Sequence, residues 1–532
     1  MTHPSRQPIA MRAAAMGLAA VLAGPALAQT DEAADMRPLS AIDWLSESVR
    51  TPTPAPEFPP VPGRGPGPHP PEDPVAESAT TPDISVRPLD APSPERVGLM
   101  SPATTGLPQT LWAGSEAETL VALMRAEKVE TLVPLRDLLV RMILTEADPP
   151  ADAGSDAALF LARVDTLLDI GALEPAQAML EAATPDTSAL FRRWFDVSLL
   201  TGTERRACEV MQDRPGIAPS PAARIFCLAR AGDWSAAALT LNTAEALGDM
   251  DTKTADLMAW FLDPELFEGE TPPRPDQVTP LIFRIREAVG ERLGTTGLPR
   301  AFAHSDQRDT VGWKSQIEAG ERLLRTGAIP PTVLLDLYTE RVPSASGGVW
   351  ERARAVQQLE TALDARDGER ASDALEAAWD RLTAAGTEAV LVGGFADRLS
   401  QARLTPRAEG LRYRLLMLTA DYETHALDLE APEGAALLRA VARGQVTPET
   451  PAARDAAPVR SAFAALRADE RLVEMAGQDR LGEAILRTIA TVQQGLEGDP
   501  AALAEGLSTL RALGLEDIAR RTALHHLVLS AT

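Results

Sequence analysis

Apolar residues in most of this chain recur at spacings of three and four, the period of one face of an α-helix. The pattern runs from Ser115 to Leu529, with no long alternation of apolar and polar residues and no alternation of strands with helices. Aromatic residues make up only 4% of the chain, which is low for a β-sandwich or a catalytic α/β domain. Abundant Ala, Leu, Arg and Glu favour helix over strand. We therefore predict an all-α body over residues 111–532, built from roughly twenty short helices.

A glycine marks several of the points where one predicted helix gives way to the next. It is followed by a small residue about five positions later and by another small or apolar residue four positions beyond that. The glycine would provide a left-handed turn, and the small residue would let the next helix pack closely. We therefore predict helical hairpins. The sets are Gly171-Ala176-Leu180, Gly232-Ala237-Leu241, Gly477-Gly482-Leu486 and, more loosely, Gly514-Ala519-Ala523 and Gly327-Thr332-Leu335.

The segment Leu228-Ala-Arg-Ala-Gly-Asp-Trp-Ser-Ala-Ala-Ala-Leu239 resembles tetratricopeptide and related Sel1-like repeats. The resemblance is at the level of a superfamily and extends over residues 158–524. It implies a helical-hairpin α-solenoid, in which stacked pairs share one core and leave an extended curved surface suited to protein partners.

The start of the chain is typical of a cleavable export signal. Arg6 and Arg12 are followed by an uncharged run of Ala, Met, Gly, Leu and Val, which ends at Ala28 with the small residues that a signal peptidase requires. We predict a signal peptide over residues 1–28, a mature chain from Gln29 and a periplasmic location. Gln29 is not a cysteine, so no lipoprotein anchor is indicated. No later window approaches the roughly 18 apolar residues that a membrane span needs.

A proline-rich region separates this signal from the body. Residues 51–94 contain fifteen prolines, and such a segment lacks the apolar surface needed to form a core. We predict a disordered tether over residues 29–110. Near its start, a short amphipathic segment is a candidate partner-binding site, either as a docking peptide for another protein or as a segment that packs on its own body. Its apolar side is formed by Leu39, Ile42, Trp44, Leu45 and Val49.

Cys208 and Cys227 are the two cysteines of the chain. They fall on two predicted neighbouring helices, residues 203–212 and 220–231. In an oxidising compartment they would form a disulfide that joins this hairpin. The alternative is two buried free thiols. Their spacing excludes a CxxC redox pair, and two sulfurs alone make a poor zinc site.

The charge and the missing motifs exclude several classes of function. With 51 basic and 76 acidic residues the net charge is -25, which disfavours nucleic acid and anionic membranes as partners. No HExxH, GxSxG or GxxxxGK motif occurs, and we predict no catalytic, cofactor or metal site. We expect His304, in the longest irregular region at 269–311, to form loop hydrogen bonds, and His525 and His526 to be solvated or capping. Most carboxylates are expected on solvated helix faces.

These observations favour an exported, non-enzymatic scaffold or adaptor that binds protein partners in a bacterial cell envelope. Two alternatives stay open. One is a cell-envelope enzyme of the wall-glycan-cleaving type, which would need a catalytic Glu or Asp in a cleft. The other is an accessory subunit of an envelope machine such as a motility complex.

Overall fold

The computed structural model describes residues 93–267, 272 and 274–530. Every regular element in these residues is a helix, which confirms the all-α prediction. The predicted signal peptide and residues 29–92 of the predicted tether lie outside the described residues.

Four 3-10 helices span Pro94–Arg96, Pro215–Ile217, Pro264–Phe267 and Arg300–Gln307. The α-helices of the described chain are α1 (Pro102–Thr105), α2 (Ala117–Ala126), α3 (Val133–Leu144), α4 (Ala158–Ile170), α5 (Leu173–Ala182), α6 (Ser188–Thr201), α7 (Glu204–Asp213), α8 (Pro221–Arg230), α9 (Trp234–Leu247), α10 (Thr252–Leu262), α11 (Pro280–Ala288), α12 (Trp313–Leu324), α13 (Pro331–Thr339), α14 (Val349–Asp364), α15 (Gly368–Thr383), α16 (Ala389–Gln401), α17 (Pro406–Leu416), α18 (Tyr422–Asp428), α19 (Ala436–Ala442), α20 (Ala457–Ala464), α21 (Glu470–Ala476), α22 (Leu481–Leu496), α23 (Pro500–Ala512) and α24 (Glu516–Leu529).

Helices that follow one another along the chain pack together, as in α8 with α9, α14 with α15 and α22 with α23. Four of the five predicted turn glycines, Gly171, Gly232, Gly327 and Gly514, have φ of 89°, 85°, 67° and 82°. Gly477 does not, because its φ is -71° and the left-handed residue of that turn is Asp479, with φ of 59°. An Asp tolerates this conformation better than most side chains, so the turn forms two residues later than the glycine indicated.

The packed body begins before residue 111, so the predicted boundary at residue 110 between tether and body lies too late in the chain. Glu95, in the first 3-10 helix, is 1% exposed. Its carboxylate accepts hydrogen bonds from the backbone N–H groups of Leu159 and Phe160, at 3.2 and 2.6 Å. These groups lie in the first turn of α4, which has no side-chain cap of its own. The acid caps a helix 64 residues away, a contact that a proline-rich local sequence does not indicate.

Residues 280–328 return to pack on helices much earlier in the chain. The 3-10 helix Arg300–Gln307 contacts both α4 and α6. The Thr326 hydroxyl donates to the carbonyl oxygen of Ile170 at 2.7 Å. The region predicted to be irregular, 269–311, therefore contains α11 and a 3-10 helix that form part of the core.

The first and last parts of the described chain also pack on each other, since α3 contacts both α22 and α24. The Gly114 N–H donates to the carbonyl oxygen of Asp479 at 3.1 Å, and the Gly482 N–H donates to that of Leu111 at 2.9 Å. In an open repeat array each repeat contacts only its neighbours. The long-range contacts of this protein are additional to that pattern, and the solenoid arrangement stays a prediction.

Candidate functional site

The predicted partner-binding residues Leu39, Ile42, Trp44, Leu45 and Val49 lie outside the described residues. Their role as a docking segment stays a prediction. The candidate sites that follow are built from the described body alone.

Cys208 and Cys227 join α7 to α8 through a disulfide, with their Cα atoms 5.1 Å apart. Both side chains are buried. Because these are the only two cysteines of the sequence, the chain has no further thiol for nucleophilic or redox chemistry. The bond fixes the hairpin that precedes α9.

Helix α9 presents large apolar side chains to solvent. Leu239 and Leu247, here called the α9 face, lie about 80° apart around the helix axis and are 68% and 70% exposed. Trp234, which is 52% exposed, lies about 140° from both of them. The opposite side of the helix is buried through Ala237 and Leu241 against α8. Glu245 is the one charged residue among the fourteen of α9. Exposed clusters of apolar side chains mark interaction surfaces more often than isolated ones do.

A cleft of about 700 Å³ lies where α6 meets the first turns of α8, α10 and α11. The three helices begin there because Ser220, Asp251 and Thr279 cap them, each accepting a hydrogen bond from a backbone N–H in the first turn. Proline follows at the start of α8 and α11, where its fixed φ favours the first helical position. Three helix N-termini therefore face one cavity, each with the positive end of its dipole.

Arg192 of α6 lines this cleft, here called the Arg192 cleft. The residue is 8% exposed, and its Nη2 atom is buried without a hydrogen-bond partner in the described part of the chain. Burial lowers the pKa of Arg192, opposed in part by the charge of Asp196. An unpaired polar group costs free energy when it is buried, and a charged one costs more. A ligand or ordered water that fills the cleft would relieve this cost.

Asp196, one helical turn after Arg192, also lines the cleft and is 8% exposed. Burial raises the pKa of Asp196 to about 7, and the charges of Arg192 and Arg193 only partly oppose this rise. Arg193 is engaged elsewhere, since its guanidinium binds the buried Asp165 carboxylate through two hydrogen bonds at 2.6 and 2.8 Å. Near neutral pH the side chain of Asp196 can therefore either donate or accept a hydrogen bond.

Other charges lie around the Arg192 cleft. Lys253 Nζ donates to both carboxylate oxygens of Asp276 at 2.6 Å, so these two charges neutralise each other. Asp249 and Asp251 also line the cavity, the second as the cap of α10. With Asp196 counted, the acids of the cleft outnumber its bases.

His304 and His525 lie within the packed helical body. His304 Nε2 lies 2.6 Å from the carbonyl oxygen of Gly171, a hydrogen bond of the kind expected for it. His525 is 5% exposed, which contradicts the expected solvated or capping role, and its Nε2 has no partner in the described residues. It is buried because the helix that ends the described chain packs against α3 and α19.

The described residues contain no group of three or more His, Cys, Asp or Glu arranged to hold a metal ion. No described helix has the length and apolar character needed to cross a bilayer.

No family model, no curated protein and no solved structure matches this chain.

Sequence reasoning missed the Arg192 cleft. Arg192 and Asp196 are four residues apart inside Ser188–Thr201, a helix that otherwise carries mostly apolar residues. Charged residues in a helix that is apolar on every side are a signal of buried polar function. The cavity itself could not be predicted, because it is formed by helix starts that are far apart in sequence.

Proposed function

We propose that this protein is an exported helical scaffold that binds a protein partner in the bacterial cell envelope through the α9 face. The observation that carries the proposal is the exposure of Leu239 and Leu247 on one side of α9. The predicted export signal, Met11–Ala28, provides the compartment.

The chemistry of the α9 face supports an apolar partner surface. Full burial of a large apolar side chain is worth roughly 1.5 to 3 kcal/mol, so Leu239 and Leu247 together supply part of the roughly 8 kcal/mol of a micromolar affinity. With one charge on α9 the face offers little for a basic or acidic partner to pair with. The net charge of -25 would in addition repel anionic surfaces at long range.

A charge on the α9 face tests the proposal. We expect Leu239→Glu to abolish recovery of the partner after cross-linking in periplasm and affinity capture, because burial of the new carboxylate would be unfavourable. The melting temperature should not change, since Leu239 is 68% exposed. Leu427→Glu is the matched control, at a side chain of α18 that is 62% exposed.

Two results would contradict this function. One is recovery of the same proteins by wild type, Leu239→Glu and Leu427→Glu. The other is a dimer of the wild-type protein in light scattering that Leu239→Glu dissociates, because the α9 face would then bind a second copy of this chain.

The export and docking predictions are tested separately. Cell fractionation should place a chain that begins at Gln29 in the periplasm, and a full-length cytoplasmic product would overturn the location. Trp44→Ala should weaken partner recovery without lowering the melting temperature if the N-terminal segment docks on the partner. A lower melting temperature would instead mean that Trp44 packs on its own body.

A further inference from the structure

We infer that the Arg192 cleft is a binding site for a carboxylate carried on an apolar skeleton. The inference does not rest on the proposed function, because the α9 face and the Arg192 cleft use different side chains. Leu239→Glu, which tests the scaffold, changes no residue that lines the cleft.

The unpartnered Nη2 atom of Arg192 is the first reason. A side chain that is more than nine-tenths buried keeps a nitrogen, Nη2, without a hydrogen bond in the described chain, and it lines a cavity. Arg163, by contrast, is fully buried and donates to the carbonyl oxygens of Ile143, Thr145 and Glu95. The planar fork of a guanidinium matches the two oxygens of a carboxylate.

The helix starts are the second reason. Helices α8, α10 and α11 are ten, eleven and nine residues long, and their first turns line the same cavity. The N–H groups of a first turn have no partner within the helix, and the cap side chains of Ser220, Asp251 and Thr279 satisfy only some of them. The remaining N–H groups and the helix dipoles favour a negative group in the cleft.

The acids of the cleft decide which anion fits. Asp196, Asp249, Asp251 and Asp276 line it, against Arg192 and Lys253. A phosphate that carries close to two negative charges would be repelled by this set. A single carboxylate needs only the Arg192 fork, and a protonated Asp196 could donate one more hydrogen bond to it.

The remaining walls and the size of the cleft define the skeleton. Apolar side chains line it beside the charged groups, and the volume of about 700 Å³ is in the usual range for a site that encloses a small molecule or a few residues of peptide. The apolar lining side chains are Phe195, Met250, Leu257, Leu281 and Ile282. The carboxylate could belong to a free organic acid or to the C-terminus of a peptide, since both present the same group.

Calorimetric titration of the purified protein tests the site with defined probes. The first pair is 4-phenylbutyrate and its amide, and the second is the tripeptide Leu-Leu-Phe with a free and with an amidated C-terminus. We expect saturable binding of at least one acid and about tenfold weaker binding of the matching amide. If 4-phenylbutyrate binds and the tripeptide does not, the natural ligand is a small organic acid. If the tripeptide with a free C-terminus binds more tightly than 4-phenylbutyrate, the natural ligand is the C-terminus of a peptide.

Variants of two arginines assign the binding to the cleft. Arg192→Met keeps the length of the side chain without its charge and should weaken acid binding about tenfold or more. Arg224→Met, at an exposed position of α8, is the matched control and should bind like wild type. Arg192→Lys keeps the charge without the planar fork, so it should bind more weakly than wild type even if Arg192→Met fails to fold.

Three results would overturn the inference. They are the absence of saturable binding by either acid to the wild-type protein, equal affinities for acids and amides, and Arg192→Lys and Arg192→Met binding as tightly as wild type.

Discussion

Arginine side chains neutralise several buried carboxylates of this protein. The Glu483 side chain is fully buried and accepts hydrogen bonds from Arg480 and Arg487. Glu321 accepts two hydrogen bonds from Arg352, both at 2.7 Å. Loss of Arg352 would leave the buried Glu321 carboxylate without an ion pair, which typically costs about 3 to 5 kcal/mol.

These buried acids are exceptions to the expectation that most carboxylates lie on solvated helix faces, since six of the described Asp and Glu residues are buried. Glu483 lies three residues after Arg480 and four before Arg487, a pattern that also occurs on exposed helices. The local spacing predicts the ion pairs of Glu483 with the two arginines. It does not indicate which face of the helix is buried by neighbouring helices. Burial depends on the neighbouring helices, which the sequence places only approximately.

His525 makes the stability of the protein sensitive to acid. Burial, together with the charges of Arg521 and Arg136, lowers its pKa to about 3. In the unfolded chain the pKa is near 6.5, so below that pH the unfolded state binds a proton that the folded state does not. The contribution to stability is therefore present above pH 6.5 and is lost as the pH falls towards 3. Between pH 7.5 and 5 the loss should be about 2 kcal/mol.

Urea unfolding of wild type and His525→Gln at these two pH values measures the effect. We expect the free energy of unfolding of the variant to fall by about 2 kcal/mol less than that of wild type between pH 7.5 and 5. Equal falls in the two proteins would mean that His525 titrates in the folded state as it does in the unfolded state.

At the scale of elements, glycines set how closely α22 and α23 approach. A Cβ atom at Gly495 would lie 2.4 Å from the backbone of Leu503, and one at Gly506 would lie 2.6 Å from Val492 Cγ2. Glycine in a helix normally costs about 0.5 to 1 kcal/mol relative to alanine. Here the loss is offset by the close packing of two helices. The helices were predicted from their apolar spacing, whereas this approach distance could not be.

Gly495→Ala should destabilise the protein, contrary to the usual effect of alanine in a helix. The new methyl group meets backbone that cannot move aside, so we expect a loss of about 1 to 3 kcal/mol. Gly410→Ala is the matched control in α17, where a Cβ would lie 3.6 Å from Pro432, an ordinary contact distance. Chemical denaturation of both variants measures the difference, and a Gly495→Ala protein as stable as Gly410→Ala would show that α22 and α23 can separate at no cost.

At the scale of the molecule, the described body is joined by contacts between distant parts of the sequence. The Thr110 hydroxyl donates to the Asp479 carboxylate, 369 residues later, at 3.1 Å. The helical class, most hairpins and several glycine turns could be predicted, because each depends on residues close together in sequence. The contacts of α3 with α22 and α24, and the inclusion of residues 93–110 in the body, could not, because nothing in the local pattern indicates them.

Gly482→Ala tests whether these distant parts are coupled. A Cβ atom there would lie 2.4 Å from the Trp112 ring and 2.6 Å from the carbonyl oxygen of Leu111. We expect faster amide hydrogen exchange in residues 107–126 as well as in α22, with α14 and α15 changed less. In a simple repeat array the effect would stay within α22 and its neighbours. Exchange in residues 107–126 equal to that of wild type would contradict the coupling, and Gly410→Ala again provides the control.

The contact between Thr110 and Asp479 cannot form during biosynthesis until both residues have been synthesised. A ribosome that adds about 5 to 20 residues per second needs roughly 20 to 75 s to make the 369 residues that separate these two positions. Throughout that interval the indole of Trp112, which is 0% exposed in the finished protein, lacks the turn that covers it. A chaperone or a protease that meets the nascent chain therefore finds its N-terminal part still uncovered until nearly the whole message has been translated.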